Sequence, residues 1–268
     1  MPELPEVETI KRDLGKCIVG QRIADVTIRD TMVVRFPKNS RFKVSLVGKE
    51  IAGVERRGKA IIFRLSQGGF LIVQLAMTGQ LIYGEESKTS CVSLKLSNGQ
   101  FLNYNDTRRF GRLNVVANLS DFKFLKSLGP EPLGEEFNCA WLKQELKKHK
   151  APIKSLLMNQ NFVAGIGNIY ASEILFRSNI RPQKKAYCLK PGEVELLRQR
   201  TIEVLTEAIE LRGSSVNTYR DLNGQKGSFV NRIQVYGRED QMCIVCQTPI
   251  KKVIIAGRST FFCRRCQS

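Results

Sequence analysis

Long hydrophobic runs are missing from this sequence. A membrane-spanning helix needs about 18 consecutive apolar residues, whereas the densest apolar stretch, Phe70–Leu75, has the length of a strand and is interrupted by Gln74. The first residues, MPELPEVETIKRDL, contain acids and prolines in place of an apolar core, so we expect neither a secretory signal nor a transit peptide. We therefore expect a cytoplasmic protein that has no membrane partner.

Acidic residues are few compared with basic ones. The 25 Asp and Glu stand against 43 Lys and Arg, which gives a formal net charge of +18. Such a charge attracts polyanions through counterion release, so nucleic acid is the leading partner. Charge alone leaves open a ribosome-associated protein or a binder of membrane surfaces. The 268 residues, 42% of them hydrophobic, predict a globular protein of two or three domains.

The eight cysteines do not suggest a disulfide framework. Four are scattered and are predicted to be reduced thiols: Cys17, Cys91, Cys139 and Cys188. The other four form two CxxC pairs separated by 16 residues: Cys243, Cys246, Cys263 and Cys266. Paired thiolates at this spacing predict one structural Zn²⁺, and four cysteine ligands leave no open position for a catalytic water. Between the pairs, two β-prone runs around an Ala-Gly-Arg-Ser turn predict a hairpin whose tip presents Arg258, either as a phosphate contact or as a solvated arginine.

Hydrophobic periodicity predicts an α+β multidomain fold. Residues 5–19 have helical spacing, which places Pro2 just ahead of an amphipathic helix. From 20 to about 115, runs rich in Val, Ile and Phe with turns such as Asn98–Gly99 predict an antiparallel β-sandwich. Beyond the Pro- and Gly-rich segment 128–137, four helices are predicted at 140–148, 153–160, 169–178 and 191–211. We expect domains at 1–128, 129–230 and 231–268, the second including a polar, mobile loop at 214–230.

The segment N161-F-V-A-G-I-G-N168 breaks the helical pattern between two predicted helices. A helix that opens at Asn168 would offer its amides and its dipole to a phosphate, although a tight structural turn explains the glycines equally well. Lys154 on the preceding helix is either a further cation for this site or a solvated lysine.

The second residue is small enough to permit removal of Met1, which would leave Pro2 with a free secondary amine. Such an amine titrates at about pH 8 and can form an iminium with a sugar aldehyde carbon. Glu3 and Glu6 supply carboxylates for proton transfer or orientation. Many proteins begin Met-Pro without any use of the terminus, so these residues alone leave both interpretations open.

Three further positions have both a DNA-binding and an ordinary interpretation. In DTRRFGR, 106–112, an Arg beside Phe110 is suited to wedge into a base stack, as is Met77, but core packing is the alternative for both apolar residues. Lys59 in RRGKAIIF is a phosphate clamp or a solvated lysine at a strand edge.

Together these residues resemble the formamidopyrimidine-DNA glycosylase family, also called MutM, from the first segment of the chain to the last. The matching segments are PELPEVE, RRGK, LAMTG, DTRRFG, LGPEPLG, IKSLLMNQNFVAGIGNIYASEILF, QVYGRE and the two CxxC pairs with GRSTFFC. The resemblance implies a bifunctional glycosylase and abasic-site lyase that excises oxidised purines from double-stranded DNA, in a bacterial-type, nucleoid-associated location. It also implies that the longest segment is a helix-two-turn-helix. We expect a monomer because no sustained heptad pattern is present.

The resemblance also implies a role for each matching residue. Pro2 would attack C1′ and form a Schiff base, with Glu3 as general acid/base and Glu6 as its supporting carboxylate, before β- and δ-elimination nick the strand. Lys59 would contact phosphate at the lesion. Contacts to the rest of the DNA would come from Gln74, Met77, Arg108, Arg109, Phe110, Lys154, Asn168 and Arg258. Among them, Met77, Arg108 and Phe110 would fill the void left by the flipped base, and the 214–230 loop would cover that base.

Two departures from the family pattern stand out. Gln74 lies where the family usually has His, and Thr89-Ser90-Cys91 replaces an expected His-Asp-His stretch, so that His149 is the only histidine. Gln can still donate a hydrogen bond to phosphate but carries no charge, so we expect Gln74 to reduce affinity rather than activity. A lyase-dominant or non-catalytic relative that binds damaged DNA, and a zinc-ribbon DNA-binding module without repair function, are the alternatives.

Overall fold

The computed structural model describes residues 1–38, 40–216 and 219–268, and these form two compact units. The first unit contains Met1–Lys126 and Leu211–Val230, and the second contains Ser127–Glu210 and Asn231–Ser268. The described residues contain no helix that is long and apolar enough to cross a membrane. The division differs from the expected boundaries in two ways. Residues 231–268 group with the helical residues of the second unit and not as a third domain. Residues 211–230 group with the N-terminal unit, because Tyr219 and Leu222 are buried in its core.

The first unit is a β-sandwich preceded by helix α1, Leu4–Cys17. Its strands are β1 Ile23–Ile28, β2 Val34–Phe36, β3 Ile51–Arg57, β4 Ala60–Leu65, β5 Phe70–Gln74, β6 Gln80–Gly84, β7 Val92–Leu96, β8 Phe101–Asn105 and β9 Arg112–Val116. One sheet has the order β1-β7-β8-β6 and the other the order β2-β9-β5-β4-β3. All pairs are antiparallel except β2 with β9. Two short helices, α2 Ser40–Val44 and α3 Lys123–Lys126, complete the unit.

The core of this unit combines α1 with both sheets. Val7, Ile10 and Leu14 of α1 are at most 1% exposed and pack with the inward residues of the strands. Three- and four-residue spacing puts these side chains on one helical face. The predicted Asn98–Gly99 turn joins β7 and β8, and Gly99 adopts a φ of +83°. The predicted helix and sandwich are therefore confirmed.

The second unit is helical and ends in a small hairpin. Its helices are α4 Cys139–Leu146, α5 Ile153–Leu157, α6 Asn168–Arg177 and α7 Pro191–Glu210, and its strands are β10 Lys251–Ile255 and β11 Arg258–Phe262. Helix α5 ends before the predicted residue 160, because residues 158–167 form a turn instead. In that turn the Gln160 side chain donates to the carbonyl of Ile166 and accepts from the amide of Gly165. All four predicted helices are present, with shifted ends.

Candidate functional site

The start of α1 holds three of the predicted catalytic residues in a buried position. Pro2 is buried directly ahead of the helix, and Glu3 and Glu6 are only 3% and 1% exposed. The Glu3 amide donates to Oε2 of Glu6 at 2.8 Å, which satisfies one of the amides that a helix start leaves unpaired. The carboxylate of Glu6 is thus fixed beside the backbone of residues 2 and 3.

A distant part of the chain holds the other oxygen of Glu6. The Ser214 amide donates to Oε1 of Glu6 at 2.7 Å. Gly213, with a φ of +80°, makes this approach possible, because a Cβ there would lie 2.8 Å from Cγ and Oε1 of Glu6. Sequence reasoning did not identify this pair, since nothing in a local pattern links residues 208 positions apart.

Lys59 lies at the tip of the β3–β4 hairpin. Arg57 pairs with Ala60, so Gly58 and Lys59 form a two-residue turn, and Gly58 has a φ of +55°. Arg56 braces this turn: its NH1 donates to the Gly58 carbonyl at 3.0 Å, and its Nε donates to Glu8 Oε2 at 2.9 Å. The turn that presents Lys59 is therefore tied to helix α1.

Gln74 lies at the same end of the sheet as Lys59. In the strand register Gln74 is opposite Ala60 on one side and Arg112 on the other. Gln74 is half-buried, in contrast to the fully buried residues Leu71–Val73 that precede it. The register therefore brings Gln74 close to the tip residue Lys59, as the proposed phosphate contacts require.

Asp106 organises the loops that carry the predicted void-filling residues. Asp106 is 4% exposed, and its carboxylate accepts hydrogen bonds from the Gly111 amide at 2.7 Å, the Arg108 amide at 3.3 Å and the Thr78 hydroxyl. The β5–β6 and β8–β9 loops are thereby held together. Gly111 leaves the room for this, since a Cβ there would lie 1.6 Å from the Tyr104 hydroxyl.

The three predicted void-filling side chains project from these loops. Phe110 and Met77 are 52% and 41% exposed, so neither side chain is part of the core. The Arg108 guanidinium lies 4.8 Å from the centroid of the Phe110 ring, a cation–π distance. The core-packing alternative for Met77 and Phe110 therefore does not hold. Arg109, by contrast, pairs with Asp30, and the hydrogen bond between them holds the pKa of Asp30 below its usual range.

In the second unit, Asn168 and Lys154 meet at one carbonyl. Asn168 Nδ2 and Lys154 Nζ both donate to the carbonyl of Ser259, at 3.1 and 3.3 Å. Lys154 also donates to the Ser172 hydroxyl and is only 1% exposed. The solvated alternative for Lys154 is therefore wrong, because the side chain is enclosed. Its position favours bracing of the helix turn over direct contact with an outside phosphate.

The β10–β11 hairpin presents Arg258 as predicted. Ala256 and Gly257, with φ of +48° and +71°, form the two-residue turn, and Ile255 pairs with Arg258. Arg258 is exposed beside this turn. It directly precedes Ser259, so the carbonyl that Asn168 and Lys154 contact belongs to the neighbouring residue.

The four C-terminal cysteines form a metal site. Their sulfur atoms all lie within 4.8 Å of one another, and those of Cys246 and Cys263 are 3.4 Å apart. A tetrahedral zinc with Zn–S distances of about 2.3 Å places its sulfurs about 3.8 Å apart. The residues present therefore fit one structural Zn²⁺. The four scattered cysteines are free thiols, as predicted.

Three family models match consecutive parts of this chain. Residues 1–113 match the formamidopyrimidine-DNA glycosylase N-terminal domain, residues 128–220 the formamidopyrimidine-DNA glycosylase H2TH domain, and residues 240–268 the zinc finger found in FPG and IleRS. A formamidopyrimidine-DNA glycosylase from Pelotomaculum thermopropionicum is 42% identical, over 100% of this chain and 99% of its own length. One from Enterococcus faecalis is 40% identical, over 100% and 97%.

Solved structures give the same result. A point mutant of the Lactococcus lactis FPG, in complex with a Fapy-dG containing DNA, superposes with a TM-score of 0.93 at 37% identity and full coverage of both chains. The MutM (FPG) protein from Thermus thermophilus gives a TM-score of 0.91 at 39% identity, covering 99% of this chain and 98% of its own. A Lactococcus lactis Fpg complex with an abasic site containing DNA gives 0.92 at 37% identity, with 99% coverage of both.

Proposed function

This chain belongs to the formamidopyrimidine-DNA glycosylase family, and we propose that it is a base excision repair enzyme that removes 8-oxoguanine and formamidopyrimidines and then cleaves the abasic site. The observation that carries the chemistry is the buried group of Pro2, Glu3 and Glu6 at the start of α1. A secondary amine next to fixed carboxylates is suited to imine formation with proton transfer.

The proposed reaction begins at the amine of Pro2 after removal of Met1. The nitrogen forms a bond to C1′ as the bond from C1′ to the damaged base breaks, and the base departs with a proton. Ring opening then gives an iminium at C1′. Glu3 is the proposed general acid/base for these proton transfers. Glu6 accepts hydrogen bonds from the amides of Glu3 and Ser214 and so keeps the backbone of Glu3 in place.

Strand cleavage follows from the same intermediate. The iminium withdraws electrons and so acidifies the C2′ proton, whose removal expels the 3′ phosphate by β-elimination. A second elimination expels the 5′ phosphate. These steps use no redox or nucleotide cofactor. Zinc, when bound, supplies structure, because all four of its positions are filled by cysteine.

DNA contacts are proposed for side chains of both units. Lys59 and Gln74 would hold the backbone near the lesion, and the set of Met77, Arg108 and Phe110 would occupy the space that the flipped nucleotide leaves. Asn168 and Arg258 would contact phosphate from the helix turn and the hairpin. Arg109 and Lys154 would act indirectly, since each is already bound to a protein partner. The net charge of +18 supports DNA as the partner and a nucleoid-associated location in a bacterial-type cytoplasm; we propose that the protein acts as a monomer.

Borohydride trapping tests this proposal. The full-length, zinc-loaded protein is incubated with a duplex that has one 8-oxoguanine opposite cytosine, reduced, and digested for peptide mapping. We expect a covalent adduct at Pro2, which would also demonstrate removal of Met1. An adduct that forms only with an abasic-site duplex would favour the lyase-dominant alternative. If neither duplex gives an adduct, the protein is a DNA-binding module without this chemistry.

A further inference from the structure

Arg212 adopts a backbone conformation that is rare for its residue type. Its φ is +60°, in the left-handed region that favours glycine, and Gly213 follows with +80°. A residue other than glycine in this region is strained, and the strain persists only where surrounding interactions fix the residue. The side-chain contacts of Arg212 supply those interactions.

The guanidinium of Arg212 joins two carboxylates from separate parts of the first unit. NH1 and NH2 donate to the two oxygens of Asp13 on α1, at 3.3 and 2.5 Å. NH2 and Nε donate to Oδ2 of Asp221, at 2.6 and 3.1 Å. The hydrogen bonds to Asp13, with those to Asp221, raise the pKa of Arg212. An arginine suits this arrangement, because its planar fork of donors can bind two carboxylates at once, whereas a lysine presents a single point charge.

Asp221 passes this constraint on to the backbone of the loop. It is 1% exposed, and its other oxygen accepts from the amides of Asn223 and Gln225, at 3.0 and 2.8 Å. The ends of the loop are also closed, since Ser214 and Ser228 form an antiparallel bridge and the Phe229 amide donates to the Gly213 carbonyl. Leu222 is fully buried in the sandwich core. The predicted mobile loop at 214–230 is therefore anchored at several of its described residues; Asn217 and Thr218 lie outside them.

We propose that Arg212 is a positioning residue that locks the 213–228 loop onto helix α1 and thereby holds the Ser214 amide against the Glu6 carboxylate. Arg212 lies two residues before Ser214, and Asp13 and Glu6 belong to the same helix. The loop and the start of α1 thus share two connections, one through the Arg212 guanidinium and one through the Ser214 amide.

This inference rests on the proposed function and on the role that the family resemblance implies for this loop, which is to cover the flipped base. It predicts a difference between two substrates. Excision of 8-oxoguanine needs the loop in place over the base, whereas an abasic site has no base to cover. Glu6 would still be held by the Glu3 amide when the connection through Arg212 is lost. Loss of Arg212 should therefore slow base excision and spare cleavage at a preformed abasic site.

The test uses Arg212→Gln in the full-length protein. Active enzyme is first counted by borohydride trapping on an abasic-site duplex, and single-turnover excision of 8-oxoguanine is then measured per active molecule. We expect excision to slow about 10- to 100-fold, with abasic-site cleavage at the wild-type rate. Asp221→Asn should give the same loss of excision rate. The double variant should excise no more slowly than either single variant, because both substitutions remove the same connection between the loop and α1. Arg200→Gln, which removes an ion pair with Glu203 on α7, is the matched control.

Chemical rescue separates positioning from a general loss of structure. A cavity of about 380 Å³ is lined by Asp13, Arg212 and Gln225 among others, so a small cation can reach the place of the guanidinium. Methylguanidinium should restore part of the excision rate of Arg212→Ala, compared with sodium chloride at equal ionic strength. The inference is overturned if Arg212→Gln excises at the wild-type rate, or if it loses both reactions equally and methylguanidinium fails to rescue Arg212→Ala. A wild-type protein that neither excises nor forms an adduct overturns the proposed function itself.

Discussion

The backbone amide of Ser214 lies 2.7 Å from Oε1 of Glu6, and 208 positions of sequence separate the two residues. Both oxygens of Glu6 therefore accept backbone amides, one from Ser214 and one from Glu3. A carboxylate held at both oxygens has a fixed orientation. Glu6 thus connects Ser214, near the start of the 213–228 loop, to Glu3, the residue that precedes α1.

Gly213→Ala should disrupt this contact. The new Cβ would lie 2.8 Å from the Glu6 side chain, and its φ of +80° is unfavourable for alanine. Because Glu6 is buried and bonded at both oxygens, it cannot move without losing a bond. We expect excision in single-turnover kinetics to fall about 100-fold. Gly48→Ala is the control, since Gly48 has a φ of +84° and open space around a Cβ. Equal rates in the two variants would contradict this explanation.

Asp106→Asn should loosen the loops that carry Met77, Arg108 and Phe110. The aspartate accepts at both oxygens, whereas asparagine has one acceptor oxygen, so a buried donor loses its partner. We expect the free energy of unfolding to fall by about 1–3 kcal/mol, measured in urea, together with slower excision. The exposed Asp121→Asn should change neither quantity. Wild-type stability in Asp106→Asn would show that these hydrogen bonds do not hold the loops.

Phe110→Ala should reduce activity and leave stability unchanged. The ring is 52% exposed, so its removal should alter the free energy of unfolding by at most about 0.5 kcal/mol. Loss of a stacking contact worth about 1–3 kcal/mol would slow excision about 10- to 100-fold. Phe36→Ala, which removes a ring that is 60% exposed, is the control for a nonspecific effect. Equal excision rates in the two variants would exclude Phe110 from the wedge role.

Glu8 should contribute to a loss of stability in acid. Burial alone would raise the pKa of Glu8, but hydrogen bonds from Arg12 and Arg56 outweigh it and hold the pKa below its usual value. This stabilisation is complete above the unfolded pKa of about 4.3 and is lost as the pH falls through the lower folded pKa. Glu8→Gln should therefore be less stable than wild type at neutral pH, and the difference should shrink as the solution is acidified.

Urea unfolding across this pH range measures the effect. Glu195→Gln, at an exposed position of α7, is the control and should follow the wild-type curve. A constant difference between Glu8→Gln and wild type at every pH would show that the ion pairs of Glu8 are not its source. Arg56 bonds both Glu8 and the Gly58 carbonyl, so Glu8→Gln should also loosen the turn that presents Lys59. We therefore expect Glu8→Gln to bind duplex DNA more weakly than the wild type does.

Local patterns were sufficient to predict most elements of the fold. Three of the runs rich in Val, Ile and Phe, namely IADVTI, IAGVERR and AIIFRL, coincide with β1, β3 and β4, because their apolar residues are bounded by turn residues. The hairpin that presents Arg258 beside its turn and the metal site were also predictable, since both depend on short spacings. Local sequence thus determines these features.

Other features depend on contacts that a local pattern does not contain. β2 has three residues, only one of them buried, and β6 has a single buried residue, Leu81, so neither has a clear period. The roles of Asp106 and Arg212 arise from partners brought close by the fold. The sequence indicates Pro2, Glu3 and Glu6 as a group, but the burial of the two carboxylates and the bond from the Ser214 amide to Glu6 depend on the fold.

Removal of zinc should affect the second unit selectively. The β10–β11 hairpin is small, and four cysteines close its base, so metal binding supplies much of its folding free energy. The hairpin also provides the Ser259 carbonyl that Asn168 and Lys154 bind. Unfolding of the hairpin would therefore remove Arg258 from the DNA and would also deprive Asn168 and Lys154 of the carbonyl that holds them. We expect duplex binding to be lost while the β-sandwich remains folded.

Cys266→Ser provides the genetic form of this experiment, and Cys188→Ser, at an exposed cysteine outside the cluster, is its control. Metal content, duplex affinity and amide hydrogen exchange should be measured on both variants. Exchange should rise in residues 240–268 and around Asn168 of Cys266→Ser, with the strands of the sandwich still protected. Unchanged affinity after confirmed metal loss would mean that the hairpin does not contact DNA, and the binding role would then fall to the first unit and the helix turn alone.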